Sequence, residues 1–479
     1  MSTRKKAVSG IIWTFSESLI NKGFGFVTAV VLGNILSIND FGLIAMISLF
    51  VQVGNTIVES GFGNSLIRTK DADDGDYSSV FWMNLGLGVI MYLLLYVASP
   101  WIASYFDQPI LSSLIRWYCL AFIISAFSTV QLSILSSQLQ FRSITLISIP
   151  SAILGPLIAI LMAYFGFGVW SLVALYLVSQ IVQSLGLWYV SKWRPSFIFK
   201  KEKAKTHFFF GYKLLLSALL DTAFKNIYNF IIGKRYTVDA LGYFDRGRAV
   251  NEYPTSILTN IVSKVTYPLL SNIQDNKTET SNAYKQIIRT SLFINAPMML
   301  ALAAMAPLIF ELFWKEKWLP AVPYFQIVCL ASMLYPIHSV NLNILKVYSR
   351  TNLFLRLEII KKILMALCIA IAWNFGILGL AWSIVASSFL ALLVNTYYSK
   401  ELIGYSTKQQ LVEMLPTLLI SGAMYLVMKQ VISLLEGNVL ILQILISFIA
   451  GFIFYFGICW IIKSKQLLFI IKTIKSYSS

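Results

Sequence analysis

Apolar runs of about 20 residues, each long enough for a helix to cross a bilayer, recur along the whole chain. They predict fourteen helical spans, near residues 10–33, 41–59, 80–101, 112–134, 144–165, 170–190, 208–232, 248–269, 288–311, 322–343, 355–374, 378–398, 411–430 and 440–462. The second and eighth runs are the most polar. The seventh holds Lys213, Asp221 and Lys225 in an otherwise apolar stretch. One ionised group near the bilayer centre costs about 2.5–3.5 kcal/mol on insertion scales, so these charges ask for a reason.

The spacing supplies part of it. In the seventh run Lys213, Ser217, Asp221, Lys225 and Asn229 recur every fourth residue. In the eighth, Arg248, Glu252, Ser256, Asn260 and Lys264 do the same. Residues four apart are neighbours on a helix surface, and such a row drifts by about 40° per step at 3.6 residues per turn. Each row is a slanted polar ridge. A ridge of this kind faces a water-filled cavity or other protein, not lipid.

An internal repeat gives the ridges a counterpart. "VLGNILSINDFGLI" (31–44) aligns without gaps to "IIGKRYTVDALGYF" (231–244), an offset of 200 that pairs Gly33 with Gly233 and Gly42 with Gly242. "SPWIASYF" (99–106) matches "APLIFELF" (306–313), "QFRS" (140–143) matches "YSRT" (348–351), and "WSLV" (170–173) matches "WSIV" (382–385), with offsets that only grow. Six spans separate equivalents, so the halves share one orientation, a parallel repeat. The expected architecture is an all-α polytopic membrane protein. Residues 1–200 and 201–402 form two six-helix lobes, and 403–479 adds two helices and a tail. At offset 200 the eighth-span ridge meets Ser48, Gln52, Thr56, Ser60 and Asn64, all polar. The seventh-span ridge meets Trp13, Glu17, Asn21, Gly25 and Ala29.

Composition agrees: 57% of residues are hydrophobic and 12% charged, about half the charge of a soluble chain. The net charge of +17 first suggests nucleic acid, but its distribution argues against that partner. Basic residues cluster in alternate loops, six of them in "SKWRPSFIFKKEKAK" (191–205), whereas the intervening loops hold only Lys234, Arg235, Arg246, Lys315 and Lys317. The positive-inside rule then places both termini in the cytoplasm. The 191–205 loop reads as a topology determinant, at the place where a hinge between lobes would sit. No cleavage site follows the basic MSTRKK, so the first span is expected to stay and act as its own signal. The four cysteines lie in apolar runs without a CxxC, and only His207 and His338 could add imidazole ligands. Neither a disulfide framework nor a metal site is expected, and no cofactor is implied.

Enzyme constellations are missing too: no P-loop, no HExxH, no Ser–His–Asp arrangement. The acidic cluster "RTKDADDGDYSS" (68–79) reads as a short exposed loop. Asp221 with Lys225, and Arg248 with Glu252, have the spacing of intrahelical ion pairs. Glu59, Arg116, Arg289, Glu311 and Glu358 fall near predicted span ends, where interfacial placement is the default. His338 in "YPIHS" reads as a hydrogen-bonded packing residue, and Pro254, Pro268, Pro297 and Pro336 can kink or break spans.

Against this frame, "DFGLIAMISLFVQVGNTIVESGFGNSLIR" (40–68), "SSVFWMNLGLG" (78–88), "QLQFR" (138–142), "FGFGVWSLV" (165–173) and "LGYFDRGR" (241–248) resemble the polysaccharide transporter family. These are Wzx-type flippases of lipid-linked oligosaccharides, in the superfamily that also holds multidrug extruders and the peptidoglycan-precursor flippase. The resemblance covers roughly residues 8–400. It implies two six-helix bundles in a V that open alternately to either side of a bacterial inner membrane. It implies an undecaprenyl-diphosphate-linked glycan as substrate, ion or potential coupling, and a polysaccharide polymerase and chain-length regulator as partners. The family offers no strict motif to carry over, so the candidate residues come from the ridges. Lys225, Arg248 and Lys264 are candidates for the anionic head, followed by Lys213 and Arg246. Asn229, Asn260 and Gln52 are candidates for the glycan, and Glu17, Asp221 and Glu252 for ion coupling or for holding the cations. The alternatives are a multidrug antiporter of the same fold and, further off, a polysaccharide polymerase.

Overall fold

The computed structural model describes residues 3–59, 62–69, 71–348 and 350–478. Every regular element among them is helical. The chain divides into two compact units, Met1–Asp245 and Arg246–Ser479.

The first unit contains α1 (Thr3–Ile35), α2 (Ile38–Glu59), α3 (Phe62–Arg68), α4 (Asp74–Tyr105), α5 (Ile110–Tyr118), α6 (Leu120–Ser137), α7 (Phe141–Tyr164), α8 (Trp170–Ser191), α9 (Lys201–Arg235) and the start of α10 (Val238–Asn272). The second contains the rest of α10, then α11 (Lys277–Trp314), α12 (Val322–Ser332), α13 (Tyr335–Val347), α14 (Thr351–Ala372), α15 (Gly376–Thr396), α16 (Ser399–Ile403), α17 (Thr407–Leu434), α18 (Leu440–Ile461) and α19 (Lys465–Ser478). Among the described residues eleven helical segments are long and apolar enough to cross a membrane. Three further long helices, α9, α10 and α14, fall outside that group. Each of the three carries several charges.

The 200-residue repeat has a physical expression at the starts of α2 and α10. Ser37 caps α2 by accepting from the Asp40 backbone N–H at 3.2 Å, and Thr237 caps α10 by accepting from the Ala240 N–H at 3.2 Å. Each hydroxyl satisfies a helix-end donor that no carbonyl can reach. Behind the caps the two helices touch at equivalent residues. A β-carbon on Gly42 would lie 2.1 Å from the Val238 carbonyl oxygen, and one on Gly242 would lie 2.7 Å from that of Ile38.

Segment 193–200 is strapped to the start of α4. Trp193 Nε1 and Ser196 Oγ donate to the Asp74 carboxylate at 2.8 and 2.7 Å, and Trp82 Nε1 donates to the Ser196 carbonyl at 2.9 Å. The Lys200 N–H donates to Ser79 Oγ at 2.9 Å. The basic loop is thus a docked strap and not a free linker. Beside it Lys203 bridges Asp73 at 2.6 Å and Asp76 at 2.7 Å, and buried His207 lies between Ser65 Oγ (2.7 Å) and Asp76 Oδ1 (3.2 Å). The hydrogen bond from Lys203 holds the Asp73 carboxyl well below the usual carboxylate range. A depressed folded value stabilises the fold above the unfolded value, about 3.9, and that contribution is lost as pH falls through the folded one. The melting temperature should therefore fall on acidification below about pH 4, and fall less steeply in Asp73→Asn. Equal slopes in a pH-resolved thermal scan would remove this pair from the account.

The second unit is held by a core that joins α11 to the last helices. Phe293, Leu300, Ala304 and Met305 pack against Met424, Met428, Tyr455 and Cys459, and Leu467 of α19 joins them. Arg289 meets Glu413 through Nη2–Oε1 at 2.6 Å and Nε–Oε2 at 3.0 Å. This fork-on-fork geometry ties α17 to α11.

Candidate functional site

In the first unit the polar row of α2 lies against α9. Gln52 Oε1 accepts from Asn226 Nδ2 at 3.1 Å, and the Thr56 and Thr222 hydroxyls are 3.0 Å apart. Asn229 Nδ2 donates to Asp245 Oδ1 at 2.7 Å and reaches Ser48 Oγ at 3.4 Å. The order 48, 52, 56 against 229, 226, 222 shows that the helices run antiparallel. Polar side chains in an apolar surrounding hold helices together because their alternative is an unsatisfied group. Ser48, Gln52 and Thr56 of that ridge thus meet protein, and the face of α9 that meets them is 222, 226 and 229. Of the predicted α9 ridge, Asn229 belongs to that face. Asp221 is half-buried and Lys225 is exposed. Glu17 on α1 is half-buried. The side chains of Lys213 and Lys264 lie outside the described residues, as does that of Glu59.

The predicted ridge residues of the second unit take different environments. Arg246 is 6% exposed, with its guanidinium carbon 5.0 Å from the ring centres of both Trp314 and Trp318. Cation–π attraction of this kind is strongest when desolvated. Arg248 is half-buried, and Glu252 and Asn260 are exposed.

At Tyr335 a polar cluster begins that the sequence reading had not assembled. The Tyr335 and His338 rings are 6.2 Å apart. His338 Nε2 is 3.1 Å from Ser388 Oγ, and Nδ1 is 3.3 Å from Asn395 Nδ2. Lys361 pairs with Glu358 at 2.6 Å, both side chains less than one-fifth exposed. The hydrogen-bonded role expected for His338 is seen. Glu358, which falls near a predicted span end, is half-buried and paired with Lys361 within α14. The signal was available: Glu358, Lys361 and Lys362 interrupt one apolar run. Chemically, the arrangement offers cations for an anionic group and an imidazole held by hydrogen bonds at both ring nitrogens. No group of three or more metal-ligating side chains occurs among the described residues.

Comparison with known proteins adds independent findings. The family model described as "Polysaccharide biosynthesis protein" matches residues 31–323. The chain is 24% identical over 443 residues to "Lipopolysaccharide biosynthesis protein WzxC" of Escherichia coli K12, covering 90% of this chain and 89% of that one. It is 28% identical over 338 residues to "Succinoglycan biosynthesis transport protein ExoT" of Rhizobium meliloti, covering 68% and 66%. Among solved structures, that of "Lipid II flippase MurJ, inward closed conformation" superposes with a TM-score of 0.76 at 15% identity, over 95% of this chain and 99% of that one.

Proposed function

We propose, from the premise that this chain belongs to the polysaccharide biosynthesis protein family and is a multi-pass transporter of the Wzx type, that it flips an undecaprenyl-diphosphate-linked polysaccharide repeat unit. The movement runs from the cytoplasmic to the outer leaflet of a bacterial inner membrane, by alternating access and with ion or potential coupling. Both termini lie in the cytoplasm. The repeat units 1–200 and 201–402 act as the two lobes, with 403–479 appended. A polysaccharide polymerase and a chain-length regulator receive the product.

The observation that carries this reading is the retention of charge in α9, α10 and α14. An isolated charge in a spanning helix is costly, and charges that persist there mark a substrate or ion path. A diphosphate is an anionic head that such cations can hold. In this reading Lys225, Arg248 and Lys264 contact the diphosphate or an acidic sugar, with Lys213 beside them, and Asn260 faces the glycan. Glu17, Asp221 and Glu252 balance the cations or take part in coupling. Arg246, wedged between two tryptophans, fixes α10 against the 314–318 turn. Asn229 and Gln52 serve by holding α9 on α2. The names of WzxC, ExoT and MurJ point to the same class of work.

The test is a leaflet-resolved assay of lipid-linked glycan in cells lacking the gene. Glycan should accumulate on the cytoplasmic side. Wild type should restore export, whereas Lys225→Ala and Arg248→Ala should lower it at least tenfold, about 1.4 kcal/mol or more, at unchanged membrane levels. Full export by both variants would remove them from the site. An unchanged leaflet distribution on deletion would overturn the flippase reading.

A further inference from the structure

We infer that the strap between α8 and α9 is a docking site for an anionic phospholipid of the surrounding bilayer. This goes beyond the flippase reading and does not depend on it, since it needs only a chain that spans the membrane.

Two lipid-facing rows lead to the strap. On α8, Ile181, Leu185 and Tyr189 recur every fourth residue and are exposed, Tyr189 at 83%. On α4, Ile90, Leu93 and Val97 are exposed, and open space beside Gly86 continues that face toward Trp82. Both helices are long and apolar enough to cross a membrane, and a contiguous uncovered apolar face on such a helix is a lipid contact. The uncharged stretch 80–101 of α4 measures about 32 Å, close to the thickness of the hydrocarbon core. Trp82 stands at its strap end.

The strap lies across the ends of these rows. Phe197 stacks on Trp82, with ring centres 5.3 Å apart and planes at 24°, yet it is 93% exposed. Phe199 is exposed beside it. Lys192 follows Tyr189 by three residues, and the Arg194 guanidinium carbon is 5.1 Å from the centre of the Trp188 ring. The indole N–H groups of Trp82, Trp188 and Trp193 donate to the Ser196 carbonyl, the Phe127 carbonyl and the Asp74 carboxylate at 2.9, 2.8 and 2.8 Å. Tryptophan and tyrosine collect at the level of the headgroups, where one side of the ring is apolar and the other wet. This end of the first unit has that character.

Charge then selects the kind of lipid. Lys192, Lys200 and Lys201 are exposed, and no ion pair among the described residues includes them. The nearby acids are already engaged. Asp74 accepts from Trp193 and Ser196, and Asp73 and Asp76 hold Lys203. Because Asp74 and Ser79 pin the strap at both ends, its cations are presented as a fixed set. Ammonium and guanidinium groups bind phosphate oxygens, and the exposed rings beside them suit the ester region of the same molecule. A zwitterionic lipid would bring its own cation against the lysines. A small soluble anion would leave the rings in water. The anionic phospholipid satisfies both halves of the surface.

The test uses the full-length protein purified in an uncharged detergent, with an environment-sensitive fluorophore on Ile198→Cys. Cys119, Cys329 and Cys459 are buried, and Cys368→Ser removes the remaining thiol. The readout is the half-saturating concentration of dioctanoyl phosphatidylglycerol. The matching phosphatidylcholine should not saturate the signal. Lys192→Asn, Lys200→Gln and Lys201→Gln together should raise half-saturation at least about twentyfold, since each cation at an anionic surface contributes about fivefold. Asparagine suits the left-handed backbone at Lys192, φ 55°. Arg194 is kept because it also donates to the Trp188 and Trp193 carbonyls at 2.9 and 2.8 Å. The same three positions changed to arginine should bind as wild type does. Asp74→Ala separates a built site from diffuse attraction: losing a negative charge would tighten diffuse binding, whereas losing the anchor of the strap should weaken it. Equal binding of the two lipids, an unaffected triple variant, or tighter binding by Asp74→Ala overturns the inference. So does glycerol phosphate binding as well as the lipid, which would make this a site for soluble anions. Undecaprenyl phosphate saturating at lower concentration than phosphatidylglycerol would overturn it as well, and would make the strap a substrate surface.

Discussion

Gly42→Ala is expected to destabilise the first unit by about 3 kcal/mol, at the upper end for overpacking, and Gly42→Leu to prevent accumulation of folded protein. The added β-carbon would sit 2.1 Å from the Val238 carbonyl oxygen and 2.7 Å from its Cγ1. Neither neighbour is the far end of a flexible side chain: one is backbone and the other is a β-branched methyl in the first turn of α10. Relief requires the two helix starts to separate, and both carry caps that depend on local geometry, Ser37 on one and Thr237 on the other. Gly242→Ala should act in the same direction with a smaller effect, because its nearest contact is the Ile38 carbonyl oxygen at 2.7 Å. Gly86→Ala, where nothing lies within 4 Å, is the control and should be neutral or slightly stabilising, since alanine favours helix. Fluorescence-detected size exclusion after graded heating reads all four variants. A Gly42→Ala protein as heat-stable as Gly86→Ala would show that the helix starts are not in contact.

Those glycines were visible in the sequence as a repeat, but their mutual contact was not. Pairing at offset 200 identifies equivalents and says nothing about whether they touch. The apolar runs gave the helices well, because a spanning segment must be both long and apolar. Their edges were less legible. Hydropathy sees only the apolar part of a helix, so α4 begins at Asp74 and α10 at Val238, several residues before the predicted 80 and 248. Two runs conceal a break. Residues 112–134 lie in α5 and α6, separated at Cys119, and 322–343 in α12 and α13, separated just before Pro336. Pro336 breaks a run as expected of proline, whereas Pro297 sits inside a continuous α11. In lipid-like surroundings the freed backbone groups can be satisfied by neighbours, so proline alone does not decide.

The polar ridges were half legible for a related reason. A row taken every fourth residue drifts around the helix, whereas a helix crossing selects positions such as 222, 226 and 229. The sequence reveals that α9 has a polar side without giving the angle at which α2 crosses it. The His338–Ser388–Asn395 contacts were missed because α13 and α15 are some fifty residues apart in the chain and each residue, taken alone, has an ordinary explanation.

The Lys361–Glu358 pair leads to the second large effect. Glu358→Leu should destabilise the protein by about 3 kcal/mol, because the Lys361 ammonium loses its partner where water is scarce. Lys361→Leu should cost a similar amount through the abandoned carboxylate. The double variant should be more stable than either single one, since two leucines of suitable volume need no partner there and replacing a buried ion pair by apolar groups is often neutral. The side chains are 15% and 19% exposed and three residues apart on one helix. An exposed pair of that spacing would contribute only about 0.3–0.5 kcal/mol, so the cycle separates the two environments by magnitude. Thermal unfolding of wild type, both single variants and the double variant gives the coupling energy directly. A coupling below about 0.5 kcal/mol would place Lys361 and Glu358 in water.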